Sequence, residues 1–462
     1  MNQQVQQSVP SARSSLSTTV SPSPAETPSP PQEKPEKSLE PTSPSEPKIE
    51  APAIRTANNA GPPPNGGLKA WLQVVGAFML FFNTWGLLNT FGVFQTYYES
   101  GALFTESSSN IAWIGGIQAY MLLTVGFLSG PIYDKGYLRI LVLIGSFGIV
   151  FGMMMLSICK TYWQALLAQG FVVGMGAGCL FVPCVAVLPT WFSTKLGLAV
   201  GLSAAGSSLG GVIYPIVLYR LIDKIGFGWS VRVVAFIALG TLLIPIAVMR
   251  MRVKPPKARA LADWSAFTDW GWGIFTIATF IGFAGIAAIL FYISFFAEDK
   301  KITDTKMAFY IVPIFNAASC FGRTIPNALA DRTGPFNVLV PGSLIFGVLA
   351  LCMMAVKTEA AIIVLAILTG FFSGVYIALP PICFVALTKD KTKIGSRLGM
   401  GYGFIAFGML AGGPGGGHLL GQADPLNWNG LWGYTGGMCV VSGLMYGGLR
   451  LAKYGPKLNK KA

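Results

Sequence analysis

"GFVVGMGAGCLFVPCVAVLP", residues 170–189, and "GFFSGVYIALPPICFVAL", residues 370–387, are two versions of one pattern. Each opens on Gly-Phe, stays apolar throughout and carries proline toward its end. Each then passes through a basic loop into a glycine-rich stretch. That loop holds Lys195 in the first case and Lys389, Lys391 and Lys393 in the second. Neither stretch contains a charged side chain, and each approaches the length of about 20 residues that crosses a bilayer core. A second pair keeps the same order, because "GPIYDKGYLR" (130–139) is echoed by "NALADRTGPF" (327–336). The chain therefore reads as a doubled unit.

Working outward, apolar runs of spanning length are predicted at 71–94, 111–130, 138–158, 163–188, 196–219 and 231–250. A second set falls at 272–296, 307–326, 337–356, 360–387, 397–420 and 431–452. Between the sets lies "RMRVKPPKARALADWSAFTDW" (250–270). Composition agrees: 53% of the 462 residues are hydrophobic and 11% are charged, against about 25% charged in ordinary soluble proteins. The expectation is an all-α integral membrane protein of twelve transmembrane helices in two six-helix halves. Residues 67–250 form the first bundle, 251–271 a cytoplasmic middle loop, 272–452 the second bundle and 453–462 a basic tail. Residues 1–66 are rich in Pro, Ser and Glu with little to bury, which predicts a disordered cytoplasmic tail.

A net charge of +14 could suit nucleic acid, but the cations are scattered among short loops and build no single basic face, so no nucleic acid is expected. They orient the helices instead. Lys135, Arg139, Lys195, Arg250, Arg252, Lys254, Arg332 and Arg397 fall on one side. Fewer, among them Lys160, Lys224 and Lys357, fall on the other. The positive-inside rule then places both termini in the cytoplasm. No retention or transit signal is visible, so the plasma membrane is the expected location, with the vacuolar membrane as the alternative. Seven cysteines lie in or beside apolar runs with no CxxC pair, so neither a disulfide framework nor a metal site is implied. No Walker loop, His/Cys cluster or nucleophile elbow appears. No catalytic residue, metal or other cofactor is expected, and the chain does not read as an enzyme.

Three groups of residues carry mechanism. In 130–139, Gly130 allows two helix ends to approach. Asp134 is expected to cap the next helix and accept from a cation. Lys135 and Arg139 place positive charge at the inner face, and Asp331 and Arg332 repeat the arrangement. In "WFSTKLGLAVGLSAAGSSLGGVIYP" (191–215), Lys195 precedes small residues including Gly201, Gly206, Ser207 and Gly210, whose spacing suits close helix packing. Finally, Arg323 follows a run from Met307 to Gly322 with no charged side chain. An intramembrane arginine is costly and marks a functional site by default. A guanidinium suits a carboxylate; a structural partner such as Asp331 is the rival reading. Asn83, Asn89, Gln118 and Asn316 offer neutral hydrogen bonds. Tyr120, Tyr214, Tyr376 and Tyr402 are candidate lining residues, of which Tyr376 joins Arg323, Asn83, Asn89 and Asn316 as expected substrate contacts. His418, the only histidine, reads as a packed or interfacial residue near the outer end of the eleventh span.

With the doubled six-helix pattern, these stretches resemble the major facilitator superfamily, in which the G-x-x-x-D-[RK] loop acts as a latch on the inner side. Residues 65–99 and 191–215 narrow the resemblance to the monocarboxylate porter family, particularly its fungal branch. Trp191, Phe192, Lys195, Ala199, Gly201, Ala204, Gly206, Ser207 and Gly210 match its second signature. The resemblance covers 65 to about 455 and implies alternating-access transport of a monocarboxylate or related organic anion, with Arg323 facing the substrate carboxylate. Two departures accompany it. Proton-coupled members carry a lysine where this chain has Asn89 and an aspartate where it has Ser319, so their coupling groups are missing although a coupling proton remains an expected partner. The expected partners are otherwise the lipid bilayer and a small organic anion. Export of a carboxylated or aromatic metabolite is the alternative within the class, and a non-transporting sensor on the same fold the alternative outside it.

Overall fold

The computed structural model describes residues 55–56, 61–254, 261–388, 393–422 and 425–456. The first apolar run forms three helical pieces, α1 (Leu68–Asn83), α2 (Trp85–Asn89) and α3 (Phe91–Glu99). They are separated by Thr84 and Thr90, whose hydroxyls donate back to the carbonyls of Leu80 and Gly86. This back-bonding competes with the regular ladder and bends helices. Then follow α4 (Ser108–Asp134), α5 (Leu138–Leu156), α6 (Tyr162–Ala165) and α7 (Gly174–Ala186), with a π-helical stretch at Leu166–Val173 between the last two.

The fifth and sixth predicted runs form two helices that meet at a kink within one stretch of 53 residues, α8 (Leu196–Val248). Laid end to end they would measure about 80 Å, more than twice a hydrocarbon core of about 30 Å. The chain folds back at Gly226, whose φ of 75° and ψ of 167° are non-helical. The loop expected at 220–230 is therefore one glycine, in a conformation that side chains with a Cβ avoid.

The second set gives α9 (Trp270–Asp299), α10 (Thr305–Thr333), α11 (Pro335–Cys352), α12 (Glu359–Ala378), α13 (Pro380–Leu387), α14 (Ile394–Leu420) and α15 (Trp428–Tyr454). Among the described residues, eight helices are long and apolar enough to cross a membrane, counting α1–α3, α6–α7, α8 and α12–α13 once each. The remaining long helices, α10, α14 and α15, have the length (29, 27 and 27 residues) but spend part of it on glycine and on Arg323, Arg397 and Arg450. The protein is an integral membrane protein built of helices; among the described residues the strands are a two-residue pair, Arg55–Thr56 alongside Val253–Lys254, in parallel.

The α1–α3 run packs on α8, α4 on α7, α10 on α12, and α15 on α9 and α11. A seam joins the first set of helices to the second, α4 lying along α14, α8 along α10 and α3 along α9. Connections on the face that ends α3 are short: 100–107, 157–161, Gly226, 300–304, 353–358 and 421–427. The opposite, basic face carries the stretch from Met249 to Asp269.

Residues 61–66, expected as part of the tail, are placed against the helices. Asn65 accepts from the backbone amides of Ser193 and Thr194 (2.6 and 2.8 Å) and donates to Ser193 Oγ (2.8 Å). Arg252 donates to the carbonyls of Gly61 and Pro62. Asn65 and Arg252 supply polar partners that composition alone did not weigh. Most of the expected tail, Lys257 and Arg259 of the middle loop, Lys389 and Lys391, and residues 457–462 lie outside the described residues.

Candidate substrate site

The seam brings together several of the expected site residues, and small residues decide how closely its walls approach. A Cβ built at Gly206 would meet the carbonyl oxygen of Phe78, and one at Gly210 that of Phe82. These two glycines lock α8 onto α1. On the other side, a Cβ at Gly322 would strike the Phe371 carbonyl, and one at Gly374 the Ser319 carbonyl. That locks α10 onto α12. Gly201 differs: nothing lies within 4 Å of its Cβ position, so the close-packing argument does not extend to it. Lys195 is exposed at the start of α8.

Between these two rigid pairs sits Arg323, 3% exposed. Its Nη1 donates to Ser207 Oγ across the seam at 2.6 Å, and its Nε to Ser319 Oγ at 3.4 Å. The Ser207 hydroxyl donates to the Ala204 carbonyl at 2.5 Å, leaving its lone pairs for the guanidinium. Ser373 donates to Ser319 Oγ at 3.4 Å. Among the described residues no carboxylate pairs with Arg323. Two neutral hydroxyls return about 1.5–3 kcal/mol each as partners of a charged group, but they leave its charge uncompensated.

Further polar groups line the same interior. Asn89, 2% exposed, has no partner for either side-chain atom. It lies one turn from Gly86, which abuts Gly210, and one turn from Gly92, which abuts the Leu290 carbonyl. Asn316, 1% exposed, donates to the Val312 carbonyl at 3.0 Å, while its Oδ1 has no partner. Its amide covers Gly211 of α8. Gln118 Oε1 and Ser208 Oγ are also buried without partners. Tyr120 and Tyr402 cross the seam, edge-on to Phe407 (5.0 Å) and Phe181 (5.8 Å) respectively.

Two expected contacts are placed elsewhere. Asn83 is committed inside the first set of helices. It donates to Thr241 Oγ1 (2.9 Å) and the Met79 carbonyl (2.8 Å) and accepts from the Tyr214 hydroxyl (2.6 Å). Tyr376 sits inside the second set, donating to Ser442 beside Gly282, whose missing side chain makes room for its hydroxyl.

The seam is held at both ends. On the α3 face, Ser109 Oγ donates to the Pro414 carbonyl (3.1 Å) and Tyr292 Oη to the Ser108 carbonyl (3.1 Å). On the basic face, Phe127 of α4 fills the space at Gly399 of α14. Near it, Gly130 and Pro131 line a cavity with Leu261 and Ser396. Asp134 is buried in the last turn of α4, and the N-cap residue of α5, Tyr137, makes no side-chain cap. Lys135, Arg139 and Arg332 are exposed; of the Asp331 side chain nothing is described.

The basic face also holds a cluster the sequence reading missed. Arg397, in the first turn of α14, donates through Nε to Asp263 Oδ2 (2.9 Å) and through Nη1 to Asp269 Oδ2 (3.0 Å), and Lys393 reaches Asp263 Oδ1 (3.1 Å). Desolvation pushes the Asp263 carboxyl up. Hydrogen bonds from Ser265, Arg397 and Lys393 outweigh it and hold the group well below the usual carboxylate range. Asp269 is likewise desolvated yet lowered, by Arg397 and Lys453. The signal lay in the sequence as two aspartates flanking Trp264–Thr268. Their partners stand more than 120 positions away.

An all-helical chain with a doubled pattern, packed along one seam and holding a buried arginine in it, belongs to the major facilitator superfamily, whose family model matches residues 73–358 and 275–462. Relatives include the MFS-type transporter dbaD of Emericella nidulans, 68% identical over 82% of this chain and 86% of that protein. Another is the aspyridones efflux protein apdF of the same organism, 36% identical over 79% of this chain and 75% of that one. Among solved structures, a mutant of the nucleoside transporter NupG shares the fold, with a TM-score of 0.65 at 14% identity, over 82% of this chain and 99% of that one. The chain is thus a member of a transporter superfamily, with fungal transporters as its relatives.

Proposed function

We propose that this protein exports an organic anion, a carboxylated metabolite rather than a nutrient acid, by alternating access between the halves 67–250 and 272–452. The observation that carries the reading is Arg323. Its charge is buried in the seam, and among the described residues its side-chain partners are hydroxyls, so an anionic substrate would supply the missing counter-charge. Ser319 occupies the position of the resembling family's aspartate and still contacts Arg323, but as a neutral group it does not compete for the charge. The outward direction rests on the relative named as an efflux protein. The monocarboxylate porter resemblance supports the carboxylate. The protein would sit in the plasma membrane with both termini cytoplasmic, as the distribution of basic loops suggests. The latch of Gly130, Asp134, Lys135 and Arg139, with its repeat at Asp331 and Arg332, would part when the basic face opens.

The test is counterflow in proteoliposomes with labelled cinnamate and labelled pyruvate. Exchange of the aromatic acid is expected, with a loss of at least about tenfold in Arg323→Ala, the size expected when a charged hydrogen-bonded contact is removed. Equal exchange by wild type and Arg323→Ala would overturn the anion assignment. Direction is read in the native host, where loss of the gene should shift an acidic metabolite from the medium into the cells.

A further inference from the structure

Resting on that anion reading, the geometry points to a second recognition point in the same seam. We propose that Asn316 reads a hydrogen-bond donor at the far end of the substrate, so that the protein prefers an elongated acid carrying a hydroxyl or amide N–H to a short monocarboxylate.

Asn316 and Arg323 lie seven residues apart on α10. That is nearly two full turns, so they share a face, with about 10 Å between them along the axis. Both meet the same stretch of α8: Arg323 bonds Ser207, and Asn316 covers Gly211. α8 in turn is fixed by the contacts of Gly206 and Gly210 with α1. The two points are therefore held at a set separation. Asn316 uses its Nδ2 on the Val312 carbonyl and leaves Oδ1, a pure acceptor, buried without a partner. A buried unsatisfied acceptor costs about 1–3 kcal/mol. On the facing helix Ser208 Oγ is also unpartnered. An anion on Arg323 and a donor on Asn316 Oδ1 would satisfy both points with one ligand, and pyruvate is too short to reach both.

The experiment compares binding of cinnamate and 4-hydroxycinnamate to the full chain in nanodiscs. The two acids share a carboxylate and a rigid conjugated body and differ by the distal phenol. Wild type should favour the hydroxylated acid by about five- to tenfold, the worth of one neutral hydrogen bond to an otherwise unpaired acceptor. Asn316→Ala should bind the two acids with equal affinity, and its thermal unfolding midpoint in nanodiscs reports that the variant is folded. If Asn316→Ala does not fold, Asn316→Ser is measured in its place. Arg323→Ala should weaken both acids alike. If wild type binds both acids equally, or Asn316→Ala keeps the preference, the second point is wrong and the anion reading stands. If neither acid binds and Arg323→Ala changes nothing, the anion reading fails and this inference with it.

Discussion

At the scale of single residues, the α8 glycines separate into two kinds. Gly206 and Gly210 face backbone carbonyls that cannot retreat. A valine at Gly206 should cost about 1–3 kcal/mol by overpacking, seen as a lower melting temperature in detergent with loss of transport. Gly201 faces open space. Gly201→Ala should leave transport intact and gain about 0.5–1 kcal/mol, since glycine within a helix carries that penalty relative to alanine. A melting comparison of the two variants checks both. The sequence shows all three glycines at helical spacing, and nothing in it tells which of them touches backbone.

At the scale of elements, the segment from Asp263 to Asp269 clips the start of α14 to the start of α9, and Trp272 adds a bond from Nε1 to the Arg397 carbonyl (3.3 Å). Arg397→Gln would leave two largely buried carboxylates short of their cation, and about 3 kcal/mol of stability should go with it, measured by thermal unfolding. The pH sign follows from the lowered Asp263. A carboxyl held below its unfolded value stabilises above the usual carboxylate range, and its contribution fades only as the pH falls through the lowered folded value. The spin-label distance between positions 261 and 395 should thus stay constant from neutral pH down to about 4, the unperturbed aspartate value. In Asp263→Asn it should lengthen already at neutral pH. This clip was not legible because its halves are far apart in the chain and each reads alone as a solvated loop charge. The helices themselves were legible, since twenty apolar residues in a row admit few other structures. What was not legible was the length of the link between the fifth and sixth runs, where a single glycine turns the chain and the polar residues around it stay helical.

At the scale of the whole molecule, doubling of the pattern made the architecture readable before any contact was known. The orientation of polar side chains within it was not. Asn83 and Tyr376 look in the sequence like Asn89 and Asn316, amides or hydroxyls set among apolar neighbours. Only packing shows that the first pair bonds within a set of helices, while Asn316 covers Gly211 across the seam and Asn89 is buried without a partner. Closure of that seam at both ends gives a test of alternating access. With Cys179, Cys320 and Cys352 replaced by alanine, a disulfide between Phe127→Cys and Gly403→Cys should arrest transport, and reduction should restore it. Transport that continues with the crosslink formed would mean that the basic-face end of the seam does not open during the cycle.

The shortness of the connections on the α3 face, one of them a single glycine, bears on how the protein can be blocked. An antibody or other large binder arriving from that side meets helix ends and short turns, with little chain to grip. The basic face, with its long stretch from Met249 to Asp269, is where a macromolecular blocker would find a surface.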